Sequence, residues 1–193
     1  MLKLVTALSL MRAARKRSDV DAGIGRTAVA LFASWMTPAL VLRRDERVVE
    51  ADPESLGWLF EDTDWMWWWI RTTVKLPVYT ALYVRVRGHS KIEMGPAITS
   101  GDEAFDARFV AQRHPSMPDC EDVAKSILES ATVRRLLGML ITADGDECTV
   151  GSHVSLTRRR TDASFEDVAS HMEKVGELAG AMEAVFAGTS PYR

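Results

Sequence analysis

The last part of the chain carries the feature that most limits its fold. Phe165, Val168, Ala169, Met172, Val175, Ala179, Met182 and Phe186 recur at three- and four-residue spacing, an apolar stripe over roughly six helical turns. A stripe that long needs cover along its whole length. Ser164, with Asp167 three residues on, supplies a capping-box-like start. The cover is predicted from a second period: Val78, Thr80, Leu82, Val84 and Val86 alternate with Tyr79, Ala81, Tyr83, Arg85 and Arg87, as in a long strand with one buried face.

Around that strand the spacing predicts an antiparallel meander. Gly88-His89-Ser90 turns the chain, Lys91 to Met94 returns, and Ala104 to Gln112 adds a third strand with Phe105, Ala107, Phe109 and Ala111 on one face. Ser116 is the expected cap of a helix that buries Val123, Ile127 and Ala131. Thr132 is the expected cap of the next, with Val133, Leu136, Leu137, Leu140 and Ile141 at amphipathic spacing. Short strands follow around Cys148 to Val150 and His153 to Thr157. The fold class is α+β: an antiparallel sheet covered by helices near 117–141 and 164–187, with a helical N-terminal extension. Residues 1–70 form that extension and residues 71–193 the α+β domain.

Within the extension, Leu2 to Arg17 are mostly helix formers, apolar through Met11 and then basic at Arg12, Arg15, Lys16 and Arg17. Such an arm docks on the domain with its cations at the helix end, or lies on an anionic membrane or acidic partner. Apart from Lys3, the charges follow the apolar run, the reverse of a secretory signal. Asp21-Ala-Gly-Ile-Gly25 is read as a turn between helices. Ala39 to Leu42 and Arg47 to Glu50 read as two strands joined by a charged turn, and Pro53 as the first residue of a short helix through Phe60.

Four of the six tryptophans fall at Trp65, Trp67, Trp68 and Trp69. Neither a strand nor a helix can aim the last three in one direction, so one of them reaches the surface. The cluster is the candidate partner-binding site, because buried tryptophan dominates interface energetics. Core packing is the competing reading.

Thr99-Ser-Gly-Asp102-Glu-Ala-Phe105-Asp106-Ala-Arg-Phe109-Val110, followed by paired helices, a hairpin and a closing helix, resembles uncharacterised bacterial domains with a Gly-Asp-x-x-Phe-Asp-x-x-Phe-Val signature. The likeness covers residues 95–187. It brings no activity; some such domains look membrane-tethered, and the N-terminal half here lacks the transmembrane segments of those relatives.

Other motifs are weaker. Gly23-Ile-Gly25-Arg-Thr-Ala28 spells a dinucleotide fingerprint without the preceding strand its mechanism needs. His114, Cys120, Cys148 and His153 are zinc-type ligands at spacings unlike a zinc knuckle, and the cysteines read as buried thiols. Asp144 to Glu147 reads as a polar turn. Arg158, Arg159 and Arg160, with Arg134 and Arg135, offer an anion site or a solvated strand edge. A net charge of −3 argues against nucleic acid as a partner, and two cysteines suit a reducing compartment.

The expectation is a non-enzymatic interaction module without cofactor or metal, cytoplasmic or peripheral to a membrane, that holds a protein partner or a second copy. A small-ligand or anion-binding domain, or an enzyme whose site is assembled from distant residues, is the alternative. The contact residues expected are Trp65, Trp67, Trp68 and Trp69 for the partner, and Arg12, Arg15, Lys16, Arg17, Arg158, Arg159 and Arg160 for an anion or membrane.

Overall fold

A computed structural model describes residues 12–13, 16–24, 38–44, 47–54, 66–76, 80–88, 95–113, 121–143, 146–160 and 164–187. Among these, nine strands form one antiparallel sheet. They are β1 (Val20–Ile24), β2 (Pro38–Arg44), β3 (Arg47–Glu54), β4 (Met66–Thr73), β5 (Ala81–Val86), β6 (Ala97–Ile98), β7 (Phe109–Arg113), β8 (Glu147–Gly151) and β9 (His153–Arg160). The order across the sheet is β1-β2-β3-β4-β9-β8-β5-β7-β6. Four helices accompany it: α1 (Glu103–Arg108), α2 (Glu121–Glu129), α3 (Ala131–Leu140) and α4 (Phe165–Phe186).

The register shows why the helices lie on one side. A single row of paired residues crosses the sheet as Ala22, Leu40, Ala51, Ile70, Leu156, Cys148, Val84, Ala111 and Ile98. Every member is apolar, and Leu40, Ala51, Leu156, Cys148 and Val84 are wholly buried. The adjacent row runs Val41, Glu50, Arg71, Ser155, Thr149, Tyr83 and Gln112. Because side chains alternate along a strand, the second row belongs to the opposite face. One face is core and the other is polar.

α4 lies across β2, β3, β4 and β9 and packs on α3, which in turn packs on α2. Its buried stripe is Phe165, Val168, Ala169, Met172, Val175, Leu178, Ala179 and Met182, and Phe186 packs partly buried at its end. Each large member contributes roughly 1.5–3 kcal/mol on leaving water. Ser164 caps the helix as expected, its hydroxyl oxygen accepting from the Asp167 N–H at 3.1 Å. Two ion pairs fasten the outer side of α4: Arg17 to Glu173 at 2.9 Å and Arg47 to Glu183 at 2.5 Å. Glu183 also accepts the Lys75 backbone N–H at 2.9 Å. Burial opposes its charge, but Lys75 and Arg47 outweigh burial and hold the carboxyl below the usual glutamate range.

The α+β reading holds, and several details change. The strand expected over Ala104 to Gln112 is a helix to Arg108 and a strand only from Phe109. Phe105 and Phe109 sit four apart, a spacing that both a strand face and a helix face satisfy. Their rings do meet, with centroids 4.8 Å apart. The Asp102 carboxylate decides for the helix by accepting the Phe105 N–H at 3.0 Å. Likewise the second of the paired helices is capped by Ser130, not Thr132.

In the first third, Val20–Ile24 is a strand where a turn between helices was expected, and Asp52-Pro53-Glu54 continue β3 where a helix was expected to begin. The division at residue 70 is no boundary of the sheet, since β4 runs through it and pairs with β9. Lys91 to Met94, the Ser116 cap, most of the helix expected over Leu2 to Arg17, and the stretch from Ser55 through Phe60 lie outside the described residues.

Candidate interaction surface

β4 sorts the tryptophans by alternation. Trp68 points into the core and is 3% exposed, which removes it from the expected contact set. Trp69 belongs to the polar face and is partly exposed. The backbone of Trp67 pairs with Glu54 and Arg159; Trp65 lies outside the described residues.

Trp69 is held by one neighbour on β9 and one on its own strand. Its indole N–H donates to Ser155 Oγ on β9 at 3.1 Å. The Arg71 guanidinium stands 5.9 Å from its ring centroid, within reach of a cation–π attraction. Arg71 in turn donates to Glu50 Oε2 on β3 from Nε at 3.3 Å and from Nη2 at 3.1 Å. Farther along the same face, Arg85 donates to Gln112 Oε1 at 2.7 Å, and Gln112 donates to the Gly95 carbonyl at 3.2 Å. Tyr83 lies between Thr149 and Gln112 in register and is also partly exposed. Sequence reasoning passed over Tyr83, Arg71 and Arg85 as contact residues. Their signal was present for two of them: Tyr83 and Arg85 occupy the polar positions of the alternation that predicted the strand.

The basic residues are dispersed. Arg12 and Lys16 are exposed. Arg17 is bound to both carboxylate oxygens of Asp19, at 2.9 and 2.6 Å, and to Glu173; its hydrogen bond, opposed by slight burial, holds the Asp19 carboxyl below its usual range. Arg15 lies outside the described residues. Arg158, Arg159 and Arg160 end β9, their backbones paired with Trp68, Trp67 and Met66. Arg134 does not join them in an anion site: it pairs with Asp102 at 3.2 Å and donates to the carbonyls of Leu128 and Glu129 at 2.8 and 2.7 Å.

That pairing gives the Gly-Asp-x-x-Phe-Asp-x-x-Phe-Val segment a structural role. Gly101 takes a φ of +77°, which a side chain would strain. Asp102 caps α1 and meets Arg134, which closes the end of α2. The cap, helped by Arg134 and opposed by a little desolvation, keeps the Asp102 carboxyl below its ordinary range. Asp106 accepts the buried Ser100's N–H through both oxygens, at 3.0 and 3.1 Å. Phe105 and Phe109 are buried beneath. The segment is a joint between helices and sheet.

Of the metal candidates, Cys148 is fully buried and His153 exposed; His114 and Cys120 lie outside the described residues, among which no three ligands cluster. Burial, with Glu147 nearby, pushes the Cys148 thiol up to about 12, so it is protonated and unreactive at neutral pH. Asp146 accepts from the Thr142 and Ala143 N–H groups at 2.9 and 3.0 Å, so that carboxylate is spent on the turn. Gly23 pairs with Ala39 inside β1, a setting with no resemblance to a strand-to-helix phosphate loop. No family model, curated protein or solved structure matches the chain.

Proposed function

We propose that the chain is a non-enzymatic interaction module that holds a protein partner on the polar face of its sheet, with Trp69 and Tyr83 as anchors. The observation that carries this reading is the company those aromatics keep: partly exposed Trp, Tyr and Arg, with Trp69, Arg71 and Arg85 held by cross-strand bonds, on strands whose other face is locked into the core. These are the residue types that dominate protein interfaces, and a rigid platform lowers the entropy lost on binding.

Distance separates a protein from a small ligand here. β4 and β5 are separated by β9 and β8, so Trp69 and Tyr83 stand three strand spacings and two rows apart, roughly 16 Å. A compact small molecule does not engage both; a footprint of about 800 Å² does. The reading also favours a protein over a stacked nucleic-acid strand, whose successive bases need closer platforms. An intracellular, cytoplasmic setting is part of the proposal.

The test is affinity capture with wild-type, Trp69→Ala and Tyr83→Ala baits, each first shown to be folded by its melting curve. Loss of a hot-spot aromatic lowers partner recovery by roughly 30-fold or more. Equal recovery by all three folded baits refutes the proposal.

A further inference from the structure

The polar face of the sheet carries matching residues at equal distances from its middle. The central strands are β9 and β8, flanked by β4 and β5 and then by β3 and β7. One row runs Glu50, Arg71, Ser155, Thr149, Tyr83 and Gln112, and the row two residues along runs Trp69, Thr157, Glu147 and Arg85. A line between β9 and β8 therefore has Arg71 as far to one side as Tyr83 is to the other, and likewise Trp69 and Arg85. Each stands one and a half strand spacings away, roughly 7 Å. Both matched pairs join an arginine to an aromatic ring, and all four side chains are partly exposed.

A twofold axis along that line, just above the face, turns these positions onto one another. In a second copy laid face to face, Arg85 comes over Trp69 and Tyr83 over Arg71, and each contact occurs twice, as an isologous interface requires. A guanidinium over an aromatic ring is an attractive pairing. Glu50 meets Gln112 and Glu147 meets Thr157, each a carboxylate against a donor. Thr149 meets Ser155, so short side chains fill the middle, where facing sheets approach to roughly 10 Å. Moved half a spacing onto β9 or β8, the axis pairs neither ring with an arginine. A foreign partner calls for no such symmetry.

We propose that the partner held by this face is a second copy of the chain, the two sheets packed face to face about a twofold axis between β8 and β9. This rests on the sheet-face reading above and names its partner.

Sedimentation equilibrium of the full chain, at concentrations up to roughly 100 μM, tests it. Wild type is expected to form a dimer. Two Trp69–Arg85 contacts per pair, each worth roughly two- to fivefold, together contribute about 5- to 30-fold. Trp69→Ala and Arg85→Ala each remove both contacts, so each weakens the dimer by at least that factor. Within one chain the two residues stand roughly 14 Å apart, too far to couple in a monomer. The double variant is therefore expected to fall short of the product of the single effects on dissociation by about 5- to 30-fold, while urea midpoint losses of the dilute monomers add. Lys125→Ala, exposed on the helix layer, dimerises as wild type. A wild type that stays monomeric overturns the proposal; a protein captured by wild type and lost with Trp69→Ala would then leave the sheet-face reading standing with a different partner. Folded single variants that dimerise as wild type, or a double variant that reaches the full product, overturn the twofold pairing as well.

Discussion

Adjacent tryptophans on β4 are predicted to differ sharply when each is replaced by alanine. Trp68 is 3% exposed on the helix-covered face, so Trp68→Ala removes a whole indole from the core and leaves a cavity, at a cost of about 3–5 kcal/mol. Trp69 is partly exposed and makes one hydrogen bond, to Ser155. Trp69→Ala loses that bond, about 1 kcal/mol, and part of its packing, for a total of about 1–2 kcal/mol. In urea, with a slope of about 2.5 kcal/mol per molar, the midpoints fall by roughly 1.2–2 M and 0.4–0.8 M. Circular dichroism during urea titration reads both. Partner capture should show the reverse order of damage: Trp68→Ala, where still folded, keeps the surface, and Trp69→Ala loses an anchor. A midpoint loss for Trp69→Ala equal to or larger than that for Trp68→Ala would refute the assignment of faces, and with it the placement of the interaction surface.

Three further outcomes follow from local geometry. Gly151→Ala places a Cβ 1.9 Å from the Thr80 carbonyl oxygen, so β8 and β5 must part; the cost is about 3 kcal/mol or more, readable as a melting temperature several degrees lower. Glu183 has its carboxyl held below the ordinary value of 4.5 in the folded state. Its contribution is present above that pH and lost as pH falls through the folded value, so stability of Glu183→Gln declines less steeply in acid than that of wild type, measured by urea midpoints from neutral pH downward. For Cys148 the thiol is raised from 9.0 to about 12 in the fold. Above pH 9 the unfolded chain releases a proton that the folded chain keeps, so stability falls with rising pH, and Cys148→Ala flattens that fall.

How far the sequence discloses the molecule depends on whether one period has one meaning. The α4 stripe has a single reading, because three- and four-residue spacing over so many turns fits no strand. Leu82 and Val84 are equally plain, and both are fully buried. The residues from Phe105 to Phe109 fit two periods, and the choice fell to the Asp102 cap, a hydrogen bond that spacing does not encode. β1 was hidden because Gly23 and Asp21 weaken its local preference for strand; its place comes from pairing with β2. The surface was legible only in part. A tryptophan cluster announced itself, but assigning Trp68 to the core and Trp69 to the open face requires the register of β4 against β9. Arg71 and Glu50 are distant in sequence and become neighbours only through β3–β4 pairing.

The open face of the sheet as the binding surface is tested most directly by quantitative capture with paired baits. One set carries Trp69→Ala or Tyr83→Ala on that face. The other carries Lys125→Ala or Met139→Ala on the exposed side of the helix layer. With every bait folded, the same partner is expected with wild type and both helix-layer variants and is lost, by roughly 30-fold, with the sheet-face variants. Retention by the sheet-face baits and loss from the helix-layer baits would contradict the account.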